Sequence, residues 1–535
     1  MKPNSASQVP ILRAAVWLLL GATLIAVFIA RTRVAGLPLE RDEGEYAYGG
    51  QLLLLGIAPY KLAYSMKLPG TMAAYALIMS IFGQSTTGIH LGVALTNLIT
   101  VALVYFIGRQ LFGELGGTVA SAFYAVLSLM PYVLGTAGHA THFVVLFALA
   151  GTLVLLRSLN RTPLLFASGL LFGLGFLMKQ PGFFFALFGL GYLLVHDWRT
   201  RPGLTNTLWR GLLFITGAAI PAVVTCVLLW KGGVFEKFWF WTFQYAAQYG
   251  SQVSWAEGWQ LFAGHFFGVI GTAWPIWILG LIGLVAVAIH RRLTRSRGFV
   301  ITFAAASGLA VCPGLYFRPH YFILLLPALS LLSSAAIVMA ADQLKVKTSA
   351  AGRLAVILVI AACVAFPLWS ERDFFFELPL AEANVLINGT NPFPESIKIG
   401  DYIREQSNPE DRIAVLGSEP QIYFYSKRLS ATGYIYTYGL MEPQPYAHHM
   451  QEEMIREIET NQPRFVVLVV MGRSWLAGRD SDQTIFRWAE SYCATSYEEI
   501  GLINIFDRGT DYYFSARPTG VTPAADHIVI FRRKA

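Results

Sequence analysis

Four carboxylates lie within six positions of the chain, at Glu40, Asp42, Glu43 and Glu45 of the motif LERDEGEYAYGGQLLLLG. The first 369 residues contain only nine Asp and Glu, so this clustering calls for a reason. A carboxylate can act as a general base that takes the proton from an attacking hydroxyl. The alternative is a solvated loop in which the acids only face water. An amphipathic stretch over residues 46–55 follows directly and would hold the carboxylates beside a lipid surface.

Cationic and histidine side chains interrupt four other motifs. They are Lys67 in YSMKLPGTMAAY, Lys179 in FLMKQPGFF, Arg318 and His320 in LYFRPHYFILLLPALSLL, and His139 and His142 in GTAGHATHFVVLFALAG. Individually, a lysine could reach from a helix end to the membrane surface, and a histidine could only cap a helix. Together with carboxylates, such side chains have the composition expected for binding phosphate or pyrophosphate beside a base. Tyr46 and the two histidines are further candidate substrate contacts, and the histidines are also candidate metal ligands.

The elements that must position these residues follow from the composition. The chain is 55% hydrophobic and 13% charged, so it has too few charges to cover a soluble protein of 535 residues. Residues 1–369 hold 24 Lys and Arg against nine acids, whereas residues 370–535 hold 16 against 23. The basic excess lies in short loops between apolar runs, where positive charge sets membrane topology. Nucleic acid is therefore excluded as a partner.

Eleven apolar runs are predicted to cross the membrane. They cover residues 11–30, 88–108, 115–133, 140–156, 163–178, 182–196, 211–230, 264–289, 299–314, 321–340 and 352–369. The run 71–82 reaches only about 18 Å as a helix and is predicted to lie at the interface. With that assignment one face collects 15 basic residues against three acids, as the positive-inside rule requires. The candidate site residues then share the outer face.

The C-terminal piece is predicted to be a soluble α/β domain. Residues 395–406 and 447–460 have helical spacing, and RIAVLG, PRFVVLVV, INIFD and HIVIFRR have the pattern of strands. The predicted fold is thus a mostly helical membrane protein with about 11 transmembrane helices and interfacial helices in the first outer loop. Its predicted domains are 1–369 in the membrane and 370–535 at the outer face. The outer domain could recognise the acceptor, cover the site or be merely structural.

The motifs RDEGEYAY, KLPGTMAAYALIMSIFGQ, GLGFLMKQPG and RPHYFILLLPAL together resemble those of the polytopic glycosyltransferases of the C superfamily. These enzymes use sugars linked to polyprenyl phosphate, and the likeness extends over about residues 10–340. It is nearest to the branch with protein mannosyltransferases, aminoarabinose transferases that modify lipid A, and the family of rhizobial lipopolysaccharide sugar transferases. The resemblance implies that Asp42 is the catalytic base, with Glu43 as the next participant. It also implies that Lys67, Lys179, Arg318 and His320 contact the donor phosphate or its surroundings.

One departure from the family concerns metal binding. Many relatives carry an aspartate at the start of the span in which this chain has His142. A carboxylate-based metal site is therefore not implied here, and the cofactor stays open, with a divalent metal ion as one alternative.

The resemblance implies an inverting transferase that moves a sugar from a polyprenyl-phosphate donor to a lipid, glycan or protein acceptor. Because nucleotide sugars are confined to the cytoplasm, we expect the site and the C-terminal domain on the periplasmic side of a bacterial inner membrane. The alternative from another class is a transporter or flippase of lipid-linked glycans. Its ionisable residues would lie near the midplane, often in paired halves, whereas the candidates here lie at helix ends and no repeat is evident. A catalytically inactive scaffold is a third reading.

Overall fold

The computed structural model describes residues 9–159, 161–290, 293–515 and 520–534. The chain divides into two compact units. Unit 1 contains the residues up to Gly36 together with Thr87–Cys226 and Gly250–Pro379, and unit 2 contains Leu37–Thr86, Val227–Tyr249 and the residues from Leu380 onward. Two segments of the predicted membrane piece, 37–86 and 227–249, thus belong to the same unit as the C-terminal piece.

Unit 1 is helical. Its helices are α1 (Val9–Arg33), α4 (Thr86–Leu127), α5 (Ala140–Ser158), α6 (Pro163–Met178), α7 (Gly182–Thr200), α8 (Leu204–Lys231), α11 (Trp255–Ile270), α12 (Trp274–Ile289), α13 (Thr294–Val311), α14 (Leu326–Gln343) and α15 (Ala350–Ser370). Short 3₁₀ turns cover Pro131–Val133, Gly271–Ala273 and Pro319–Leu324. Over the described residues, seven helical stretches are long and apolar enough to cross a membrane. The predicted number of 11 spans is not established by this count.

The helix α4 explains one part of the difference. Two predicted spans, 88–108 and 115–133, fall largely within it, and the helix breaks between them at Gly113, whose φ is 81° and ψ −174°. The arms pack against each other: a Cβ on Gly108 would lie 3.0 Å from the Cα of Gly117. The hydroxyl of Ser121 donates to the carbonyl of Val101 at 3.2 Å. Small residues allow this close antiparallel approach of two apolar arms.

Unit 2 combines a sheet with helices. The strands are β1 (Arg412–Leu416), β2 (Leu429–Ser430), β3 (Phe465–Val470), β4 (Tyr497–Phe506), β5 (Gly509–Phe514) and β6 (Asp526–Arg533). The helices are α2 (Arg41–Leu54), α3 (Gly70–Phe82), α9 (Phe235–Trp239), α10 (Ala246–Gly250), α16 (Leu380–Asn388), α17 (Phe393–Glu405), α18 (Gln421–Ser426), α19 (Tyr438–Met441), α20 (Ala447–Asn461), α21 (Gly472–Trp475) and α22 (Thr484–Ser496). A π-helix over Phe240–Tyr245 joins α9 to α10. The predicted C-terminal α/β fold is confirmed.

The sheet has the strand order β2-β1-β3-β6-β4-β5. The strands β2, β1 and β3 are parallel, and β6 runs antiparallel to both β3 and β4. The parallel strands β1 and β3 are almost wholly apolar and buried, as expected for strands that are covered on both faces. Met450, Met454 and Ile458 form an apolar stripe on α20 that packs with Ala414 and Val466 in one core. The apolar face of α20 therefore packs against the strands β1 and β3.

The helix α2 begins at the acidic motif. The carboxylate of Glu40 accepts a hydrogen bond from the backbone N–H of Glu43 at 2.9 Å, and the carboxylate of Glu43 accepts from the backbone N–H of Glu40 at 3.3 Å. This reciprocal pair is a capping box, which satisfies two amides at the helix start. The following helix α3 covers the segment that was predicted to be too short to span. It has 13 residues, or about 20 Å of length.

Gly44→Ala is expected to lower the free energy of unfolding by about 1–3 kcal/mol through overpacking. A Cβ at Gly44 would lie 2.7 Å from both the backbone nitrogen and the Cβ of Gln421. Backbone atoms cannot relieve such a clash by a change of rotamer. Thermal unfolding of the purified protein in detergent measures the effect. Gly472→Ala is the control, because a Cβ there meets no atom within 4 Å. Equal melting temperatures for the two variants would contradict the close contact.

Candidate active site

Two of the acids in the first motif meet the lysine of the second. The Nζ of Lys67 donates to Asp42 Oδ1 at 2.7 Å and to Glu45 Oε2 at 2.6 Å. Asp42 and Glu45 are three residues apart on α2, so they share one helical face. The lysine backbone is fixed just before α3, where its carbonyl accepts from the hydroxyl of Tyr60 at 2.7 Å. Asp42, Glu45 and Lys67 are called the carboxylate cluster below. The ring of Tyr46 lies 4.7 Å from the same Nζ.

The acids differ in access to solvent. The Asp42 side chain is 18% exposed, whereas that of Glu45 is 3% exposed. Glu43, which was predicted to take part beside Asp42, is buried, and its carboxylate closes the capping box. Among these three, Asp42 has the most exposed carboxylate.

Charge within the cluster shifts the pKa of the lysine. Burial of the ammonium lowers its pKa, but the carboxylates of Asp42 and Glu45 raise it, and the net pKa of Lys67 is well above its usual value. The lysine therefore stays protonated and holds a positive charge beside Asp42. Nearby, burial raises the pKa of Glu40 to about 8, with further increases from the negative charges of Asp42 and Glu43.

The raised pKa of Glu40 predicts that the protein loses stability as the pH rises from about 5 to 8. In this window the folded state keeps a proton that the unfolded carboxyl releases near pH 4.5, so the unfolded state binds fewer protons. Glu40→Gln is neutral at every pH, so its melting temperature should exceed that of the wild type by a margin that grows with pH. The measurement is thermal unfolding at several pH values, with the exposed Glu410→Gln as control. A margin that stays constant over this window would contradict the raised pKa.

A second group of predicted residues meets within unit 1. The rings of His139, the N-cap of α5, and His320 stack with centroids 4.0 Å apart and an angle of 8°. The ring of His320 also contacts that of Tyr321 at 4.8 Å. Lys179 ends α6, and its Nζ lies 4.0 Å from the centre of the Tyr321 ring. These four residues are called the histidine cluster below. Tyr321 was not singled out from the sequence, although it follows His320 directly in the motif RPHY.

The remaining predicted residues lie elsewhere in unit 1. Arg318 is the N-cap of the 3₁₀ turn that carries His320, and its guanidinium lies 5.6 Å from the ring of Tyr316. His142 is buried in the first turn of α5, and its Nε2 has no hydrogen-bond partner within the described chain. Arg31 donates to the carbonyls of Ser128 at 2.8 Å and Gly135 at 3.1 Å. This arginine holds the segment that precedes His139.

The nine predicted site residues thus divide between the two units. Asp42, Glu43, Tyr46 and Lys67 belong to unit 2; His139, His142, Lys179, Arg318 and His320 belong to unit 1. Imidazole is a common metal ligand, so the stacked pair of His139 and His320 is the part of unit 1 best suited to hold a divalent ion. The chemistry available is a reachable carboxylate held next to an ammonium in one unit, and cations with imidazoles in the other.

Comparison with known proteins gives one family match. Residues 67–230 match the model of the family described as dolichyl-phosphate-mannose-protein mannosyltransferase. This range begins at Lys67 and includes Lys179 and both histidines of the GTAGHATH motif. No curated protein matches the chain.

Solved structures share the fold over nearly the whole chain. A crystal structure of ArnT from Cupriavidus metallidurans bound to undecaprenyl phosphate is 18% identical, with a TM-score of 0.56, and the match covers 96% of this chain and 97% of that one. The oligosaccharyltransferase AglB from Archaeoglobus fulgidus, in complex with an inhibitory peptide and a dolichol-phosphate, is 13% identical with a TM-score of 0.51; coverage is 94% and 75%. A complex of the Archaeoglobus fulgidus oligosaccharyltransferase with Zn and sulfate is 14% identical, also with a TM-score of 0.51; coverage is 93% and 74%.

The fold and the family match agree with the motifs of the two clusters and with the apolar helices. The chain is therefore similar in fold to the ArnT and oligosaccharyltransferase structures over nearly its whole length, and its residues 67–230 match the mannosyltransferase family.

Proposed function

We propose that the protein transfers a sugar from a polyprenyl-phosphate donor to an acceptor hydroxyl, with inversion at the anomeric carbon and Asp42 as the base. The observation that carries the proposal is the carboxylate cluster, in which the reachable acid Asp42 is held 2.7 Å from a protonated lysine. A general base must be ionised and must be accessible to the hydroxyl that it deprotonates. The Asp42 carboxylate meets the second condition better than its buried neighbours Glu43 and Glu45.

The nature of the donor is supported by the proteins that share the fold. The ArnT structure contains undecaprenyl phosphate, and the AglB structure contains a dolichol-phosphate. Both ligands place a phosphate on a long isoprenoid chain. A chain with several apolar helices long enough to cross a membrane is suited to a donor of this class.

The reaction is a single displacement. The acceptor oxygen attacks the anomeric carbon while the bond from that carbon to the phosphate oxygen breaks, and the phosphate leaves with the electron pair. Asp42 takes the proton of the acceptor hydroxyl. The leaving phosphate is already acidic, so it needs positive charge more than protonation. We assign this task to Lys67, Lys179, Arg318 and His320, with His139, His142 and Tyr46 as further substrate contacts.

We place Glu43 in support of the base. Its carboxylate and that of Glu40 close the first turn of α2, which carries Asp42. We also propose that the site and the C-terminal domain face the outer side of the membrane, in bacteria the periplasm, where a lipid carrier must bring the sugar. Acceptors at that face include lipids, glycans and proteins.

Reconstitution with defined donors tests the function. Purified protein is incubated with synthetic polyprenyl phosphates that carry different sugars and with a lipid extract as acceptor, and products are identified by mass spectrometry. We expect one sugar to be transferred with release of polyprenyl phosphate. Movement of intact lipid-linked glycan across vesicle membranes without any transfer would instead favour the transporter. Neither transfer nor movement with any donor would support the inactive scaffold.

A further inference from the structure

The residue before the proposed base makes a buried ion pair with the C-terminal segment. Arg41 is the first residue of α2 and its side chain is almost fully buried. Its Nη2 donates to Glu419 Oε1 at 2.9 Å, and its Nε donates to the backbone carbonyl of Ser418 at 2.8 Å. The two contacts fix the direction of the guanidinium as well as its position. Glu419 itself has no exposed side-chain surface.

The acceptor side of this ion pair is rigid. Oε2 of Glu419 accepts from the hydroxyl of Ser474 at 2.6 Å, and the oxygen of that hydroxyl accepts from the backbone N–H of Ser418 at 2.9 Å. The hydroxyl of Ser418 lies 2.9 Å from that of Thr437. A Cβ at Gly417 would lie 2.6 Å from Oε2 of Glu419 and 2.8 Å from the Cβ of Val469, so a larger residue there would displace the carboxylate. Both carboxylate oxygens of Glu419 and the hydroxyls of Ser418, Ser474 and Thr437 are hydrogen-bonded, and such networks hold one arrangement.

The place of the ion pair in the sheet is also informative. Gly417, Ser418 and Glu419 follow the carboxyl end of β1, and Ser474 follows that of its parallel neighbour β3. In open α/β sheets the crevice beyond the carboxyl ends of parallel strands is the usual place for a ligand. Here the guanidinium of Arg41 lies beyond the end of β1, against Ser418 and Glu419. The C-terminal fold therefore binds the start of α2 as part of its own structure.

Further contacts hold the same helix in register with the C-terminal residues. The backbone N–H of Leu39 donates to the hydroxyl of Tyr425 at 3.0 Å. The ring of Tyr48 stacks on that of Tyr423 at 5.1 Å, and its hydroxyl accepts from the backbone N–H of Ser430 at 2.7 Å. These contacts hold the chain before and after residue 41, and the ion pair adds a directed contact at the first helical turn itself. Asp42 lies in that turn.

We propose that Glu419 is a positioning residue for sugar transfer, which acts through Arg41 to aim the carboxylate of Asp42. The inference rests on the proposed function, and it assigns the C-terminal domain a part in building the site. A buried ion pair adds little net stability compared with well-packed apolar side chains. Stability alone is therefore a poor reason for this arrangement, whereas a fixed direction for α2 is a sufficient one.

The test uses a charge-free double variant, Arg41→Met with Glu419→Leu. Each single variant leaves one buried charge without its counter-ion and is expected to melt at a lower temperature. The double variant removes both charges and should recover most of the melting temperature. If the pair positions Asp42, its kcat should still be at least tenfold below the wild type, with the KM for the donor changed less than threefold. Recovery of kcat together with stability would overturn the proposal.

Hydrogen exchange supplies a readout that does not depend on activity. In the double variant, amides of residues 41–48 should exchange at least tenfold faster than in the wild type, while those of β3 stay protected. Unchanged exchange in α2 would refute the coupling even if transfer is lost. Absence of transfer by the wild-type chain, with faster exchange in the variant, would refute the proposed function and leave the control of α2 by Glu419 standing.

Discussion

Asp42→Asn is expected to abolish sugar transfer, with a fall in kcat of about 10²–10⁴-fold, the usual contribution of a positioned general base. The amide keeps the size of the side chain but cannot take the proton of the acceptor. The fold should survive, because Lys67 keeps its second partner, Glu45, at 2.6 Å. The measurement is the single-turnover rate with a saturating donor, together with the melting temperature and donor affinity.

The matched control for this prediction is Glu45→Gln. It removes the other carboxylate that contacts Lys67, but Glu45 is nearly buried and the reachable acid remains. We expect a loss of less than tenfold in kcat. If Glu45→Gln and Asp42→Asn lose activity equally, the two acids act only as counter-ions. If Asp42→Asn transfers sugar at the wild-type rate, another group is the base.

Lys67→Met is expected to have the second largest effect, because it acts on both stability and catalysis. Without the ammonium, the carboxylates of Asp42 and Glu45 face each other at a site with little solvent. Breaking a buried ion pair in this way typically costs about 3–5 kcal/mol. Transfer should fall by about 10²–10³-fold, because the positive charge that we assign to the leaving phosphate is lost.

A second substitution separates charge from geometry in this prediction. Lys67→Arg keeps the positive charge, but the planar guanidinium cannot place a single point charge between two oxygens as the ammonium does. Compared with Lys67→Met, the Lys67→Arg variant should regain most of the lost melting temperature but only part of the lost transfer rate. A Lys67→Met variant that melts with the wild type and binds a lipid phosphate equally well would contradict the role given to the carboxylate cluster.

Short-range patterns were sufficient for much of the fold. The strands β1 and β3 and the buried centre of β6 follow from apolar runs such as FVVLV, and α20 follows from its periodic methionines and isoleucine. The interval 71–82 was predicted to be too short to span, and it is a 13-residue helix. Each of these patterns can be read locally, because hydrophobic burial repeats with the period of the element.

Sequence motifs also predicted part of the candidate site. Clustering of acids in one motif, and lysine before Pro-Gly in the next, identified residues that the structure brings together in the carboxylate cluster. The motif could not show that the carboxylate of Glu43 accepts a hydrogen bond in a capping box, whereas that of Asp42 remains partly exposed. It also missed Tyr321, because an aromatic residue in an apolar run carries no signal of its ring contacts with His320 and Lys179.

By itself, the sequence determined that the chain is a helical membrane protein with an α/β end, and which side chains could do chemistry. Tertiary structure alone decided that residues 37–86 fold with the C-terminal segment, and that Arg41 meets Glu419 across 378 positions of the chain. The physical reason is that burial of one face of a helix or strand requires apolar residues at regular spacing, whereas an ion pair between distant residues requires no local pattern. Its strength depends on a distance and a degree of desolvation that exist only after the chain has folded.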